Sequence, residues 1–252
     1  MEDVFGFEGI VAPRPIEHLG DSDFSFGGQL TPPLKIHEDG GESGCGGKVW
    51  IAGELLCEYL IEKSTSDAVL SRMERGLGQT GEFEKILELG SGTGLVGICL
   101  ALLCETRDLE VYVTDIGGLI GLMQRNIDLN GVCAKVHAKE LKWGDPLEPK
   151  FQPEAGKRKV DLVLAADCVY LEKAFPLLEK TLLDLTSCDD PPMILMSCKK
   201  RRKADKHFFQ QIKKNFQVIE IQDFAKFERY LAQRTRLFQL KRVHKKPLMF
   251  SR

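Results

Sequence analysis

From Phe83 onward, short apolar runs alternate with longer amphipathic ones. Apolar positions at a period near 2 mark strands and those near 3.6 mark helices. The pattern predicts strands at 85–89, 110–115, 134–139, 160–166, 193–198, 217–222 and 235–242, and helices at 93–105, 117–129, 172–187, 203–215 and 224–232. Strands separated by helices imply a mostly parallel sheet with right-handed crossovers and helices on both faces. No long helix separates the last two strands, so the final one is expected antiparallel. The fold class is therefore α/β, a Rossmann-like sheet of seven strands. Upstream, Val49 to Lys63 follows helical periodicity, with Ile51, Leu55, Leu56, Tyr59 and Leu60 on one face. Residues 64–82 read as a connector and residues 40–47, with five glycines, as a mobile loop. A strand pair is expected around Phe24-Ser25-Phe26 and Leu34-Lys35-Ile36. Residues 1–50 are thus assigned to an N-terminal extension and 51–252 to one domain.

Ligands of such sheets bind at the carboxyl ends of the strands. Glu88-Leu89-Gly90-Ser91-Gly92-Thr93-Gly94 stands at the end of the first strand of this series and opens the apolar helix Leu95 to Leu103. Glycines allow a sharp turn and close approach of a ligand, and the helix start offers N–H groups to an anion. Asp115 closes the next strand, where a carboxylate can accept both hydroxyls of a ribose. The segment Gly92-x-Gly94-x-x-Gly97 matches the dinucleotide fingerprint as written. Against a nicotinamide site stand Glu88 just before the glycines, a full helix ahead of the first strand, and the want of a convincing pairing of a catalytic His or a Tyr-x-x-x-Lys with this site. Glu-x-Gly-x-Gly-x-Gly with an acidic end to the second strand fits S-adenosylmethionine better. The bland alternative is a set of glycines serving only a tight strand–helix turn.

Composition narrows the setting. No apolar run reaches the length of a membrane span, and Met1-Glu2-Asp3 lacks the features of a signal peptide. Eight cysteines are scattered without Cys-x-x-Cys pairs, which suits a reducing compartment and opposes a disulfide framework or zinc site. The expectation is a cytoplasmic protein with no metal and no membrane association. The net charge of −2 conceals an asymmetry: residues 199–252 carry 17 Lys and Arg against 4 Asp and Glu, leaving 18 against 33 for the first 198. The cluster Lys199, Lys200, Arg201, Arg202 and Lys203 is a candidate docking surface for an acidic partner, and a solvated helix start or nuclear-import signal is the alternative.

Two motifs fail on inspection. Gly46-Gly47-Lys48 lacks the Ser/Thr and first glycine of a phosphate loop. Asp190-Pro191-Pro192-Met193 lacks the aromatic residue of the Asp-Pro-Pro-Tyr motif and precedes the fifth strand instead of following the fourth. After the fourth strand comes Ala166-Asp167-Cys168-Val169-Tyr170. This sets a carboxylate and a phenol at the strand's end, facing the cofactor methyl. A helix-capping Asp and a packed Tyr form the structural alternative.

Together, Lys48-Val49-Trp50, Leu87 to Gly94, Val113-Thr114-Asp115, Leu141-Lys142-Trp143-Gly144 and Ala166 to Tyr170 resemble the seven-strand, non-histone protein lysine methyltransferases called methyltransferase family 16. The stretches 40–50 and 199–209 resemble more narrowly the fungal members of that family that act on translation elongation factor 1-alpha. The resemblance implies a protein-lysine N-methyltransferase with that factor as its protein substrate and no nucleic-acid partner. It implies that Trp50 borders S-adenosylmethionine, that Gly90, Ser91 and Gly92 contact its methionine end with Glu88 and Gly94 in the same loop, and that Asp115 binds ribose. Trp143 would flank the adenine and Ala166 line the floor. Asp167 and Tyr170 would carry the acceptor role, Asp167 orienting the amine and Tyr170 walling the channel. An RNA or small-molecule methyltransferase, and a cofactor-binding scaffold without catalysis, remain as alternatives.

Overall fold

The computed structural model describes residues 20–39, 44–65, 84–104, 108–201 and 204–243. A hairpin, β1 (Gly20–Phe24) and β2 (Leu34–Glu38), leads through a 3-10 turn at Gly44–Gly47 into α1 (Ile51–Thr65). There follow β3 (Lys85–Leu89), α2 (Leu95–Leu103), β4 (Glu110–Asp115), α3 (Ile120–Leu129), β5 (Val136–Glu140), β6 (Leu162–Ala166), α4 (Phe175–Leu185), β7 (Met193–Lys199), α5 (Ala204–Ile212), β8 (Phe216–Glu220), α6 (Phe227–Ala232) and β9 (Thr235–Arg242). The seven-stranded sheet runs β5-β4-β3-β6-β7-β9-β8, and only β9 is antiparallel to its neighbours.

The strands that read as unbroken apolar runs are buried on both faces, as a parallel sheet covered by helices requires. Ile86, Leu162, Leu164 and Leu195 point into a core shared with α1, α2 and α3. Their neighbours Leu87, Val163, Ala165 and Ile194 point to the opposite core, under α4 and α5. Strand order reverses beside β3, so the loops after β3, β4 and β6 converge on one edge.

The predicted elements differ from the observed ones mainly at their ends, where helix and strand termini fray. Two differences go beyond the ends. Phe26 belongs to a turn at φ +50° and not to β1, which stops at Phe24. Residues 44–47, expected within a mobile loop, form an ordered turn, held because Asp39 donates its N–H to the Gly47 carbonyl at 3.2 Å. The rest of that glycine run (40–43), the connector beyond residue 65, and Arg202 and Lys203 lie outside the described residues. Among the described residues, no helix is long and apolar enough to cross a membrane, and no group of three or more His, Cys, Asp or Glu is placed to hold a metal.

Candidate active site

The glycine loop hangs from β3 by contacts that use almost no exposed atoms. Ser91 donates its N–H to the Thr114 carbonyl at 2.9 Å, and its hydroxyl accepts the Thr114 N–H at 2.8 Å. The Thr114 hydroxyl donates to the Glu88 carbonyl at 2.6 Å. These bonds tie the end of β3 to the end of β4, which fixes where Asp115 begins. Gly90 and Gly92 adopt φ values of +60° and +56°, the left-handed region where an L side chain is strained. A Cβ on Gly90 would lie 2.7 Å from the Trp143 ring, and one on Gly92 would lie 2.7 Å from the Gly46 carbonyl. The loop is thus lined by backbone, with the 44–47 turn on one side and Trp143 on the other.

Asp115 accepts the Gly92 N–H through Oδ2 at 2.9 Å and the Ile116 N–H through Oδ1 at 2.8 Å. A carboxylate has about four acceptor positions, so each oxygen retains capacity for a further donor, as two ribose hydroxyls would supply. Burial raises the Asp115 pKa, and the two backbone donors oppose the shift. Glu88 is 1% exposed and accepts the Gly97 N–H through Oε2 at 2.8 Å. Burial dominates its titration, pushing the carboxyl up to about 8. Glu88 therefore faces the start of α2, inside the core, and braces the loop from behind.

The remaining predicted residues close the ring. Trp50 precedes α1 and donates its indole N–H to the Cys45 carbonyl at 2.8 Å. Trp143 follows β5, in a segment anchored where Gly144 donates its N–H to the Thr181 hydroxyl of α4 at 2.9 Å. Ala166 ends β6 half-buried, and Asp167 next to it donates its N–H to the Ser197 carbonyl at 2.8 Å. Cys168 donates its thiol to the Leu89 carbonyl at 3.1 Å, joining this segment to the base of the glycine loop. Tyr170 is half-buried, and its phenol is held above its ordinary pKa by burial, then by the surrounding acidic groups and thiols.

One residue of the ring was assigned elsewhere by sequence. Arg201, read as part of an exposed docking cluster, turns inward: its two terminal nitrogens clasp the Asp167 carboxylate, and its side chain is 17% exposed. The guanidinium lies 5.3 Å from the centroid of the Trp50 ring, within cation–π range. A charge run on paper thus splits: Lys200 is exposed while Arg201 is spent on a buried carboxylate. No spacing rule links residues 167 and 201, although an acid at the end of one inner strand facing a base after the next was a signal to weigh.

The arrangement brings together a backbone-lined glycine loop, the Asp115 carboxylate with acceptor capacity to spare, the Asp167–Arg201 pair, a phenol and two indoles. Comparisons with known proteins identify the family. A lysine methyltransferase family model matches residues 29–215. The chain belongs to that family. It is 64% identical over 247 residues to the protein-lysine N-methyltransferase EFM6 of Saccharomyces cerevisiae, covering 95% of this chain and 99% of that one. The Danio rerio protein N-lysine methyltransferase METTL21A is 33% identical, over 81% of this chain and 82% of its own. Xenopus tropicalis EEF1A lysine methyltransferase 3 is 32% identical, over 72% and 70%. Among solved structures, the CurJ carbon methyltransferase superposes with a TM-score of 0.50 at 13% identity, over 73% of this chain and 55% of that one, a likeness of fold alone. This protein is a protein-lysine N-methyltransferase, and its methyl donor is S-adenosylmethionine.

Proposed function

We propose that the methyltransferase modifies a lysine of translation elongation factor 1-alpha in the cytoplasm. The carrying observation is the juxtaposition, at the ends of β3, β4 and β6, of the glycine cradle and Asp115 with Asp167 and Tyr170. For the substrate, support comes from the sequence resemblance over 40–50 and 199–209 and from the Xenopus relative, whose name carries that factor. In this reading Gly90, Ser91, Gly92 and Gly94 cradle the methionine end, with Glu88 bracing them. Asp115 takes the ribose hydroxyls, Trp143 flanks adenine, and Trp50 and Ala166 line the methyl-bearing end.

S-adenosylmethionine, when bound, supplies a methyl group on a cationic sulfonium. The chain's own residues then set acceptor position and protonation. Methyl transfer is an in-line displacement, so orientation supplies much of the rate. A free lysine has a pKa of about 10.4, so only about one in a thousand is neutral near pH 7.4. Asp167 orients the amine by accepting its N–H, and burial of the channel disfavours the ammonium. Tyr170, kept protonated by its surroundings, walls the channel and limits how many methyls fit. Lys199 and Lys200, with Arg202 and Lys203, steer an acidic face of the substrate toward the mouth.

The test is incubation of the purified enzyme with labelled S-adenosylmethionine and an extract of yeast lacking the EFM6 relative, with and without ribonuclease. One ribonuclease-resistant labelled band that mass spectrometry identifies as elongation factor 1-alpha is expected. Label on another protein overturns the substrate, and label confined to RNA or metabolites overturns the whole reading.

A further inference from the structure

Asp167 is far from an open acceptor. Its side chain is 6% exposed, and three donors already converge on it. Lys199 gives its backbone N–H to Oδ1 at 3.2 Å, Arg201 gives Nη1 to Oδ1 at 2.7 Å, and Arg201 Nη2 meets Oδ2. Arg201 is itself fixed: its backbone N–H donates to Asp205 Oδ2 at 2.7 Å, and its guanidinium faces the Trp50 ring. Burial works against the guanidinium's charge, yet the adjoining Asp167 raises its pKa above the ordinary arginine value. Of about four acceptor positions on the carboxylate, roughly one is left for a substrate.

The reaction makes this pairing consequential. The lysine must lose its proton before its nitrogen can attack. An unopposed carboxylate within about 4–6 Å favours the ammonium and raises an amine's pKa by about 1–3 units. A carboxylate clasped by a guanidinium carries no net charge outward, while its spare lone pair still receives an N–H. We infer that Arg201 is a positioning residue of this methyltransferase: clasping Asp167, it fixes that carboxylate at the acceptor channel and cancels the charge that would hold the substrate lysine protonated. The inference rests on the reading of Asp167 as an acceptor contact.

The pair is surrounded by Cys168 and Tyr170 after β6, Cys198 and Lys199 of β7, and Asp205 of α5. Cys45 of the 44–47 turn, Glu88 of β3, Asp115 of β4 and Arg236 of β9 complete the charged and titratable set. Burial holds the Cys45 and Cys168 thiols and the Tyr170 phenol above their ordinary values, and pushes Cys198 up to about 12. All of these groups are present in the wild type and in the variants below alike, so they cancel in the comparison.

The experiment measures kcat against pH from 6.5 to 9.5 at saturating cofactor, on the protein that the extract assay labels. The rising limb of kcat reports groups in the enzyme–substrate complex. Arg201→Gln is expected to move that limb to higher pH by about one unit or more, and Arg201→Lys to restore it to near the wild-type position. Asp167→Asn should move it the other way, to lower pH, because Arg201 is then unopposed. The double variant, which removes both charges of the pair and so covers the case of an unfolded Arg201→Gln, should return the limb to its wild-type position. A double variant whose limb coincides with that of Asp167→Asn overturns the inference, as does a folded Arg201→Gln with the wild-type limb. If Asp167→Asn alters neither limb, plateau nor KM, the acceptor reading of Asp167 fails, and the role of Arg201 fails with it.

Discussion

Between residues 88 and 115 the site is held by main-chain groups, short hydroxyls and two carboxylates that accept backbone N–H groups, all at the ends of two neighbouring strands. Between residues 167 and 201 it is held by a charged side-chain pair that bridges 34 residues. In the proposed reading the first half presents backbone to the cofactor, and its geometry follows from glycine and strand pairing. The second half, in the same reading, offers the substrate lysine a carboxylate whose charge Arg201 offsets, and its geometry follows from ion pairing in a buried place. A mutation in the first half should alter cofactor affinity, and one in the second should alter turnover.

The largest test of that division is Asp167→Asn. Turnover is expected to fall about 100-fold as the amine loses its orientation, with cofactor affinity by calorimetry changed less than about threefold. An equal loss in affinity would erase the distinction between the halves. Asp115→Ala is its mirror image. Hydrogen bonds to a charged group contribute about 1.5–3 kcal/mol each, so losing two should weaken cofactor affinity by about 100-fold or more while kcat at saturating cofactor stays within about threefold.

Glu88 sharpens the comparison from the stability side. Its carboxyl titrates near 8 in the folded protein, above the ordinary value of 4.5, so the folded state keeps a proton that the unfolded chain releases. That contribution is fully present below about pH 4.5 and is lost as pH rises toward 8. Over pH 6 to 8 the cofactor-free protein should lose about 2–3 kcal/mol from this group, read by denaturant unfolding. Glu88→Gln should flatten that slope; an unchanged slope would remove Glu88 as its source.

Asn126 ties the hairpin to the cradle. Fully buried on α3, it accepts the His37 N–H at 2.7 Å and donates to the His37 and Thr93 carbonyls at 3.1 and 2.9 Å. Asn126→Ala orphans these groups and should cost about 2 kcal/mol of stability, with the cofactor half loosened more than the acceptor half. The smallest expected effect is Lys200→Glu: a modest rise in substrate KM that shrinks with added salt, with cofactor affinity unchanged. A KM indifferent to both charge and salt would leave the basic face without a docking role.

The glycine cradle was legible because its chemistry is local. Glu88 to Gly94 follow one another in the chain, and Asp115 ends the strand paired directly beside them. The element order was legible for a similar reason, since the period of apolar residues reports which faces are buried. The ordered turn at 44–47 was not, because glycine composition alone reads as freedom. What holds it comes from elsewhere: Glu38, which accepts the Val49 N–H at 2.5 Å, and Asp39. Nor was the inward turn of Arg201, since a run of basic residues looks the same whether it meets water or a buried acid.

By itself, the sequence determined the strand and helix order, the sharp glycine turn after β3 and the carboxylate at the end of β4, all consequences of local backbone preference and hydrophobic periodicity. Only the tertiary structure decided which charge meets which. Ion pairing depends on distance and exclusion of water, and both exist only once β6 and β7 lie side by side and bring Asp167 against Arg201.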